Sequence, residues 1–349
     1  MCRLVINGTS RQIDSLHSAS GRLLRRFSTE LSLKTSGALK PSATIIGNGV
    51  IGKMLMQHLV EKRPEVALTM ADIREQHVPE GVQFRLIDVL NDQDLHHLLK
   101  DCKTLFMLVA ALSTVTDEGL IKKLNLESHE VAMGLSPTFR TASSMAVYNL
   151  PPESRCFPIK QSQLTGDPKT LYGKYKRLLE EAIAMHIAKG GNAMAFRLPG
   201  IASAVEGGKG STEWFTEVVL AAVRGVDHFS VPVPLGTKIP YALDEDVAQI
   251  FLDSLDIPVR PKDSQLYSCL NLPGVAISPK ILEDILNLAG YDITLKYTND
   301  ETDARSGIVQ TWPSEIEGEE AIKIGLDLRA TTPERITEAV VAAAEKNKK

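Results

Sequence analysis

The sequence predicts an α/β fold: a doubly wound parallel sheet with a smaller lobe at its C-terminal side. Predicted strands and helices alternate from Thr44 to about Leu198, which is the pattern of successive parallel βαβ units. A turn with three glycines, from Gly47 to Gly52, separates the first predicted strand from the first predicted helix. Glycines at that point are typical of Rossmann-type sheets, which bind ligands at the carboxyl ends of their strands. We therefore expect a Rossmann-type domain followed by a substrate lobe.

The composition fits a globular protein and excludes several classes of partner. The chain has 349 residues, 43% hydrophobic and 23% charged, with a net charge of −4. That charge gives no electrostatic reason to expect nucleic acid or an anionic membrane. The longest apolar run, Leu105–Leu112, is too short to span a bilayer. Four scattered cysteines without a C-x-x-C pair argue against a zinc site or a disulfide framework and suit a reducing compartment.

Residues 1–41 differ from the remainder in composition. They are rich in arginine and serine, and their only acids are Asp14 and Glu30. An organellar transit peptide has this composition, and the segment Arg25–Ser28 is a plausible processing point. The alternative is a disordered extension. We therefore expect a cytoplasmic protein or, through a transit peptide, one of the mitochondrial matrix.

Residues 42–200 are predicted to form the sheet. Asn91 precedes a helix as an N-cap, and the run 104–110 is continuously apolar, as expected of a strand buried on both faces. The predicted elements in order are strand Thr44–Ile46, helix Val50–Glu61, strands Val66–Met70 and Val82–Ile87, helix Asp92–Lys100, strand Thr104–Ala110, helix Asp117–Met133, strand Phe139–Ala142, helix Pro168–Lys189 and strand Ala193–Leu198.

Residues 201–349 show a looser pattern and are predicted to form the smaller lobe. Residues 240–256 are expected to pack back on the first domain. The predicted elements are a Gly-rich loop Glu206–Gly210, helix Ser211–Arg224, a Pro-rich run Val231–Pro240, helix Asp244–Leu255, strand Leu266–Leu270, helix Pro279–Ala289, strand Ile293–Tyr297, helix Glu319–Ile324 and helix Thr332–Lys346.

The glycines form a dinucleotide-binding fingerprint. Gly47, Gly49 and Gly52 give G-x-G-x-x-G between strand and helix, where a tight turn and close backbone approach to a pyrophosphate are needed. Asp72 ends the next strand about 20 residues later, where the fingerprint places the acid that binds a ribose 2′-OH. An acid here favours NAD over NADP, although Arg74 keeps NADP open.

Two further motifs point to proton-transfer chemistry. Tyr172 and Lys176 are four residues apart in a predicted helix, so both side chains lie on one face. A nearby ammonium favours the phenolate and lowers the pKa of the tyrosine, as a general base requires. Ser144 follows a predicted strand and could hydrogen-bond a reacting oxygen. The alternatives are a solvated helix start and a turn-forming serine.

Together these residues resemble the extended short-chain dehydrogenase/reductase superfamily, also called the NAD-dependent epimerase/dehydratase family, over about residues 43–345. The resemblance implies that Tyr172 is the catalytic base, that Lys176 also binds the nicotinamide ribose, and that Ser144 is the catalytic serine. It implies NAD as cofactor, bound in domain 42–200. The implied cofactor-binding residues are Gly47, Gly49, Val50, Ile51, Gly52, Asp72, Asp88, Val89, Val109, Ala110, Asn125, Tyr172, Lys176 and Leu198.

Three segments resemble the D-erythronate dehydrogenase subfamily: Phe196–Pro199, Gly208-Lys209 and Gly307–Pro313. This resemblance implies NAD-dependent oxidation of the C2 hydroxyl of a small, D-erythronate-like sugar acid to the 2-oxo acid. Ser144 is then expected to contact the substrate, and Lys209 and Arg305 are candidate partners for its carboxylate. Each of these two cations could instead be a solvated surface charge.

Two other functions stay open. One is a nucleotide-sugar epimerase or dehydratase that uses the same tyrosine and lysine; the other is a non-catalytic NAD(P)-binding sensor. The sequence departs from the family pattern at Ile46, where a glycine is usual, and at Asn149, which also replaces a glycine. The segment between Asn125 and Ser144 is shorter than usual. In this superfamily, pairing through the helix that carries Tyr172 is common, so a homodimer is possible.

Overall fold

A parallel sheet of seven strands forms the centre of the molecule in the computed structural model, which describes residues 41–112, 115–155, 158–164, 166–205, 210–259, 268–298, 303, 305–326 and 331–347. The elements of the first half are β1 (Ser42–Ile46), α1 (Val50–Lys62), β2 (Ala67–Asp72), β3 (Gln83–Leu86), α2 (Asp92–Leu99), β4 (Thr104–Met107), α3 (Glu118–Lys122), α4 (Ser128–Leu135), β5 (Thr138–Ser144), α5 (Leu171–Ala188), β6 (Ala193–Leu198) and β7 (Gly200–Ala202). Those of the second half are α6 (Trp214–Val223), β8 (His228–Val231), β9 (Ile239–Leu243), α7 (Asp244–Asp253), β10 (Cys269–Asn271), β11 (Val275–Ile277), α8 (Pro279–Leu288), β12 (Thr294–Tyr297), α9 (Arg305–Val309), α10 (Glu319–Lys323) and α11 (Pro333–Asn347).

The strand order confirms the predicted doubly wound sheet. The order is β10-β6-β5-β4-β1-β2-β3, and every pairing in this sheet is parallel. The chain runs outward from β1 in one direction and returns to β4 on its other side, so the strand order reverses between β1 and β4. Ligands bind at such a switch point because the loops after the two strands diverge there and leave a crevice.

Residues 42–349 form one compact unit with two large hydrophobic clusters. The first cluster surrounds the central sheet and includes residues of α7, which packs against α1. Polar contacts flank this helix pair: Lys62 donates to the side-chain oxygen of Gln249 at 2.5 Å, and Arg63 pairs with Asp256 at 2.9 Å. The second cluster joins α6, α8 and α11 to the segment that follows β5. The segment after β5 therefore packs against α6, α8 and α11.

The predicted helix Asp117–Met133 is interrupted, which corrects the sequence-based boundary. A π-helical turn, Lys123–Glu127, separates α3 from α4. The strand predicted over 104–110 also ends early, at Met107. Apolar periodicity does not reveal either break. Asn125, in the π-helical turn, bonds the backbone of Ala111 in the segment after β4.

The structure contains four short strands that the sequence did not predict: β7 at the end of the first half, and β8, β9 and β11 in the second half. They form a three-stranded sheet, β11-β9-β7, and a two-stranded sheet, β12-β8. One of them, β9, begins inside the run predicted as Pro-rich and irregular. Strands of three to five residues are too short to establish an alternating pattern.

Within the described part of the chain, no helix is both long enough and apolar enough to cross a membrane. The same residues contain no group of three or more histidine, cysteine, aspartate or glutamate side chains placed to hold a metal ion.

Candidate active site

The glycine turn is built by three glycines that meet different constraints. Gly47 has φ of +107°, and a Cβ there would lie 2.9 Å from the backbone nitrogen of Val109. A Cβ on Gly52 would lie 2.0 Å from the carbonyl oxygen of Gly47, so the helix start and the turn touch. Gly49 precedes α1, and a Cβ there would meet no protein atom within 4 Å. The protein itself needs glycine at 47 and 52, whereas Gly49 faces open space at a helix N-terminus, where a phosphate fits.

Ile46, where the family pattern has a glycine, is the last residue of β1 and is fully buried. The turn therefore starts one residue later, and the left-handed backbone of Gly47 provides it.

Asp72, at the end of β2, is held by backbone donors from two sides. One carboxylate oxygen accepts from the Asn48 N–H at 2.8 Å, and the other from the Arg74 N–H at 3.0 Å. The first bond links Asp72 directly to the glycine turn. These donors fix the carboxylate beside the turn, where a ribose hydroxyl could donate to it.

Asn125 lies in the π-helical turn, and its side chain hydrogen-bonds the backbone of the segment that follows β4. Its side-chain oxygen accepts from the Ala111 N–H at 2.7 Å, and its Nδ2 donates to the Ala111 carbonyl at 2.8 Å. Asn125 is fully buried, so this pair of bonds replaces water that its amide would otherwise need. These two bonds fix the backbone directly after Val109 and Ala110, which are both half-buried. Val109 lies next to Gly47.

The remaining predicted cofactor residues lie around the same edge. Val50 and Ile51 are half-buried in the first turn of α1, and Leu198 ends β6 in register with Ser144. The Asp88 carboxylate accepts from the Leu90 N–H at 2.9 Å and so closes its own turn. The Val89 side chain is buried in the core, which leaves its backbone as the part available to a ligand.

Tyr172, Lys176 and Ser144 come together at the carboxyl end of β5. The Lys176 ammonium lies 5.8 Å from the centroid of the Tyr172 ring and donates to the Ala142 carbonyl at 2.7 Å. Ser144 accepts from the Ala146 N–H at 3.2 Å, and its hydroxyl lies close enough to Tyr172 to lower the pKa of that phenol. Because the Ala146 N–H bonds to the serine oxygen, the hydroxyl proton of Ser144 can be donated to Tyr172 or to a substrate oxygen. The short Asn125–Ser144 segment is accommodated by a connection of two residues between α4 and β5, and Ser144 is the last residue of β5.

Burial sets the electrostatics of the trio. It raises the pKa of Tyr172, and the hydrogen bond from Ser144 opposes that rise. Burial lowers the pKa of Lys176 to about 8, against the Glu180 carboxylate, which raises it. His129 on α4 is fully buried; burial and the Lys176 charge lower its pKa well below the ordinary value, so it stays neutral. A lysine with a pKa near 8 can change its charge within the working pH range.

The two predicted substrate cations have different outcomes. Lys209 lies outside the described residues. Arg305 pairs with Asp303 at 2.8 Å and with Glu217 at 3.3 Å. Glu213 lies close to the same guanidinium, and burial, together with Glu217, raises the pKa of Glu213 to about 7. Arg305 is therefore engaged by acids of its own lobe.

Sequence reasoning missed a buried polar cluster next to the trio. Ser143 donates to Glu180 at 2.5 Å, and Arg197 binds both carboxylate oxygens of Glu180, at 2.9 and 2.7 Å. The available signal was the spacing of Glu180, one helical turn after Lys176. Its partner Arg197 is 17 residues away and belongs to another element, which periodicity could not reveal.

Comparisons with known proteins give likeness in fold. No protein-family model matches the chain, and a search of curated protein sequences finds no match. An L-threonine dehydrogenase from Clostridium difficile superposes with a TM-score of 0.78 at 22% identity, over 88% of this chain and 98% of that one. A GalE-like L-threonine dehydrogenase from Cupriavidus necator, in its holo form, gives 0.74 at 21% identity, over 88% and 100%. A nucleoside-diphosphate-sugar epimerase from Agrobacterium tumefaciens gives 0.73 at 21% identity, over 86% and 94%.

Proposed function

We propose that this protein is an NAD-dependent dehydrogenase that oxidises the C2 hydroxyl of a small sugar acid resembling D-erythronate. The observation that carries the proposal is the meeting of Tyr172, Lys176 and Ser144 at the edge of the sheet that also bears the glycine turn. The solved structures with this fold include dehydrogenases and an epimerase, which supports the same class of chemistry.

The glycine turn fits a dinucleotide. The open space at Gly49 and the N-terminus of α1 would take the pyrophosphate, and Asp72 would accept from the adenosine ribose. Val109 and Ala110 would lie along the cofactor. When bound, NAD supplies the hydride acceptor, and the residues of the chain supply binding, orientation and the proton path.

Tyr172 would remove the proton of the substrate hydroxyl as a phenolate. Its buried position disfavours that phenolate, so the Lys176 ammonium and the Ser144 hydroxyl are needed to stabilise it. Ser144 would also donate to the substrate oxygen and orient it. The packing of the loop after β5 against the C-terminal lobe would keep water from the reacting atoms.

The sugar-acid assignment depends on the segment Gly307–Pro313. This segment packs against the chain that follows Ser144: the Leu150 N–H donates to the Thr311 carbonyl at 2.8 Å, and Arg155 donates to the Trp312 carbonyl at 2.7 Å. The residues that resemble the subfamily thus pack against the segment that follows Ser144. This segment would form one side of the substrate pocket.

L-threonine is a second candidate substrate. It is also a short hydroxy acid, but it carries an ammonium group. Two of the solved structures that share this fold are L-threonine dehydrogenases. Glu217 and Asp303 already pair with Arg305, which makes this guanidinium a weaker partner for a substrate carboxylate.

The test is NAD reduction by the full chain across D-erythronate, related four-carbon sugar acids and L-threonine, with Tyr172→Phe alongside. We expect turnover with a sugar acid that falls at least about 100-fold in the variant, because the general base is lost. Tyr175→Phe is the matched control, since that phenol bonds Glu118 instead of the trio.

Each other outcome identifies a rival. Turnover with L-threonine alone would replace the sugar acid as substrate. Conversion of a nucleotide sugar without net NADH would indicate the epimerase. Tight NAD binding with no turnover on any of these compounds would favour the sensor.

A further inference from the structure

A buried ion pair lies directly behind the catalytic trio. Glu180 is 6% exposed and Arg197 is 3% exposed, and the guanidinium binds both carboxylate oxygens. The guanidinium is held in turn by the hydroxyl of Tyr148 at 2.9 Å and the carbonyl of Gln161 at 2.8 Å. These hydrogen bonds fix the position of the Arg197 guanidinium and of the Glu180 carboxylate that it binds.

The pair shares its supports with the trio. Tyr172, Lys176 and Glu180 are successive i, i+4 positions, so they form one row along α5. That row meets three consecutive residues at the end of β5. Lys176 donates to the carbonyl of Ala142, Glu180 accepts from the hydroxyl of Ser143, and Tyr172 lies close to the hydroxyl of Ser144. The bond between Ser143 and Glu180 lies between the contacts of Lys176 and Tyr172 with β5. It therefore fixes the position of α5 along β5 at the residues proposed for catalysis.

The surroundings of Lys176 make Glu180 its main source of negative charge. On α5 it faces Glu180 and Tyr172, on α4 the neutral His129, and on β10 Cys269. Burial raises the pKa of the Cys269 thiol well above its ordinary value, so this side chain is neutral. Arg197, on β6, is bound to the Glu180 carboxylate. Glu180 is thus the one carboxylate among these groups.

We propose that Glu180 is a positioning residue of the active site: held by Ser143 and Arg197, it keeps Lys176 in reach of Tyr172 and places a carboxylate one helical turn from the Lys176 ammonium. The inference rests on the proposed roles of Tyr172 and Lys176. Loss of the carboxylate would release the ammonium proton at lower pH, and a neutral Lys176 no longer stabilises the phenolate.

A direct test is ¹³C NMR of the full chain labelled at lysine Cε, titrated from pH 6 to 11, with the Lys176 signal assigned by its absence in Lys176→Met. In wild type we expect a midpoint near 8. In Glu180→Gln, which keeps an acceptor for Ser143, we expect the midpoint about one pH unit lower. Glu181→Gln is the matched control, because Glu181 is the exposed neighbour and its removal should leave the midpoint unchanged.

The double variant Glu180→Gln/Arg197→Met covers the case in which Glu180→Gln alone leaves Arg197 uncompensated and unfolds. It removes both charges, and we expect a smaller downward shift of the Lys176 midpoint, because losing the Arg197 cation opposes the loss of the carboxylate. A midpoint equal to wild type in the folded variants would overturn the proposal. The titration needs no turnover, so failure of the proposed function appears separately as an inactive wild type with the shift intact. In an active enzyme, the alkaline limb of the rate profile should move with the NMR midpoint.

Discussion

Two buried arginines lie at opposite ends of the neighbouring strands β5 and β6, and different groups compensate their positive charges. Arg140 is fully buried near the amino end of β5, whereas Arg197 is buried near the carboxyl end of β6. Arg197 pairs with the Glu180 carboxylate. Among the described residues, the hydrogen bonds of Arg140 go to neutral oxygens only, and burial lowers its pKa to about 10.

The partners of Arg140 explain how a cation can be buried without a carboxylate. It donates to the Ser254 carbonyl at 3.1 Å and to the Ile257 carbonyl at 2.6 Å, both just past the C-terminus of α7. Unpaired carbonyls and the helix dipole make that end of a helix favourable for a positive charge. Arg140 thus fixes α7 to the sheet, while the Arg197 pair places a carboxylate one helical turn from Lys176. The comparison separates an arginine that fixes a helix from one that lies beside Tyr172 and Lys176.

The largest effect is expected from Arg197→Met. The substitution leaves the Glu180 carboxylate buried with Ser143 as its remaining donor, and an unpaired buried charge costs about 3–5 kcal/mol of unfolding free energy. The double variant Glu180→Gln/Arg197→Met should regain most of that loss because neither charge of the ion pair remains. Urea unfolding at a fixed pH measures both, and a double variant no more stable than Arg197→Met would contradict the account.

A smaller loss is expected from Arg140→Met, about 2–3 kcal/mol, because neutral carbonyls instead of a charge lose their partner. Arg140 is four residues from Ser144 along β5, about 13 Å, so kcat and its pH dependence should not change. Urea unfolding and a pH–rate profile on the same preparation check this, with Arg140→Lys as the variant that keeps the charge. A shifted pH profile would show that the two edges are coupled.

Sequence reasoning succeeded where residues adjacent in the chain determine the structure. The glycine turn, the Asn91 cap, whose side chain accepts from the Gln93 N–H at 3.1 Å, and the alternation of strands and helices are local features. They were sufficient to predict the parallel sheet. The Tyr172 and Lys176 pair was visible for the same reason, since helical spacing alone puts the two side chains on one face.

The features that were missed depend on contacts between distant segments. The π-helical turn is required by the two bonds between Asn125 and Ala111, and nothing in the residues 123–127 themselves indicates it. Two partners of Arg140, Ser254 and Ile257, lie more than 110 residues away. Arg305 is a different case: Asp303, two residues earlier, is a local acid that could have been weighed as its partner.

Lys176 is a third buried cation, and it extends the comparison to pH. Its folded pKa of about 8 lies below the ordinary lysine value of about 10.4 in the unfolded chain, so between these values the unfolded state binds more protons. Stability should therefore rise with pH in that window, by up to about 1.4 kcal/mol per pH unit. Below about pH 8 the contribution of Lys176 should be constant and unfavourable, because the ammonium is buried in the folded state. The measurement is the difference in unfolding free energy between wild type and Lys176→Met at pH 7, 8, 9 and 9.5, in which contributions from other groups cancel. If the difference does not change with pH, Lys176 keeps an ordinary pKa. The carbonyl of Ala142 and the carboxylate of Glu180 would then offset the cost of burying the Lys176 ammonium, as the end of α7 does for the Arg140 guanidinium.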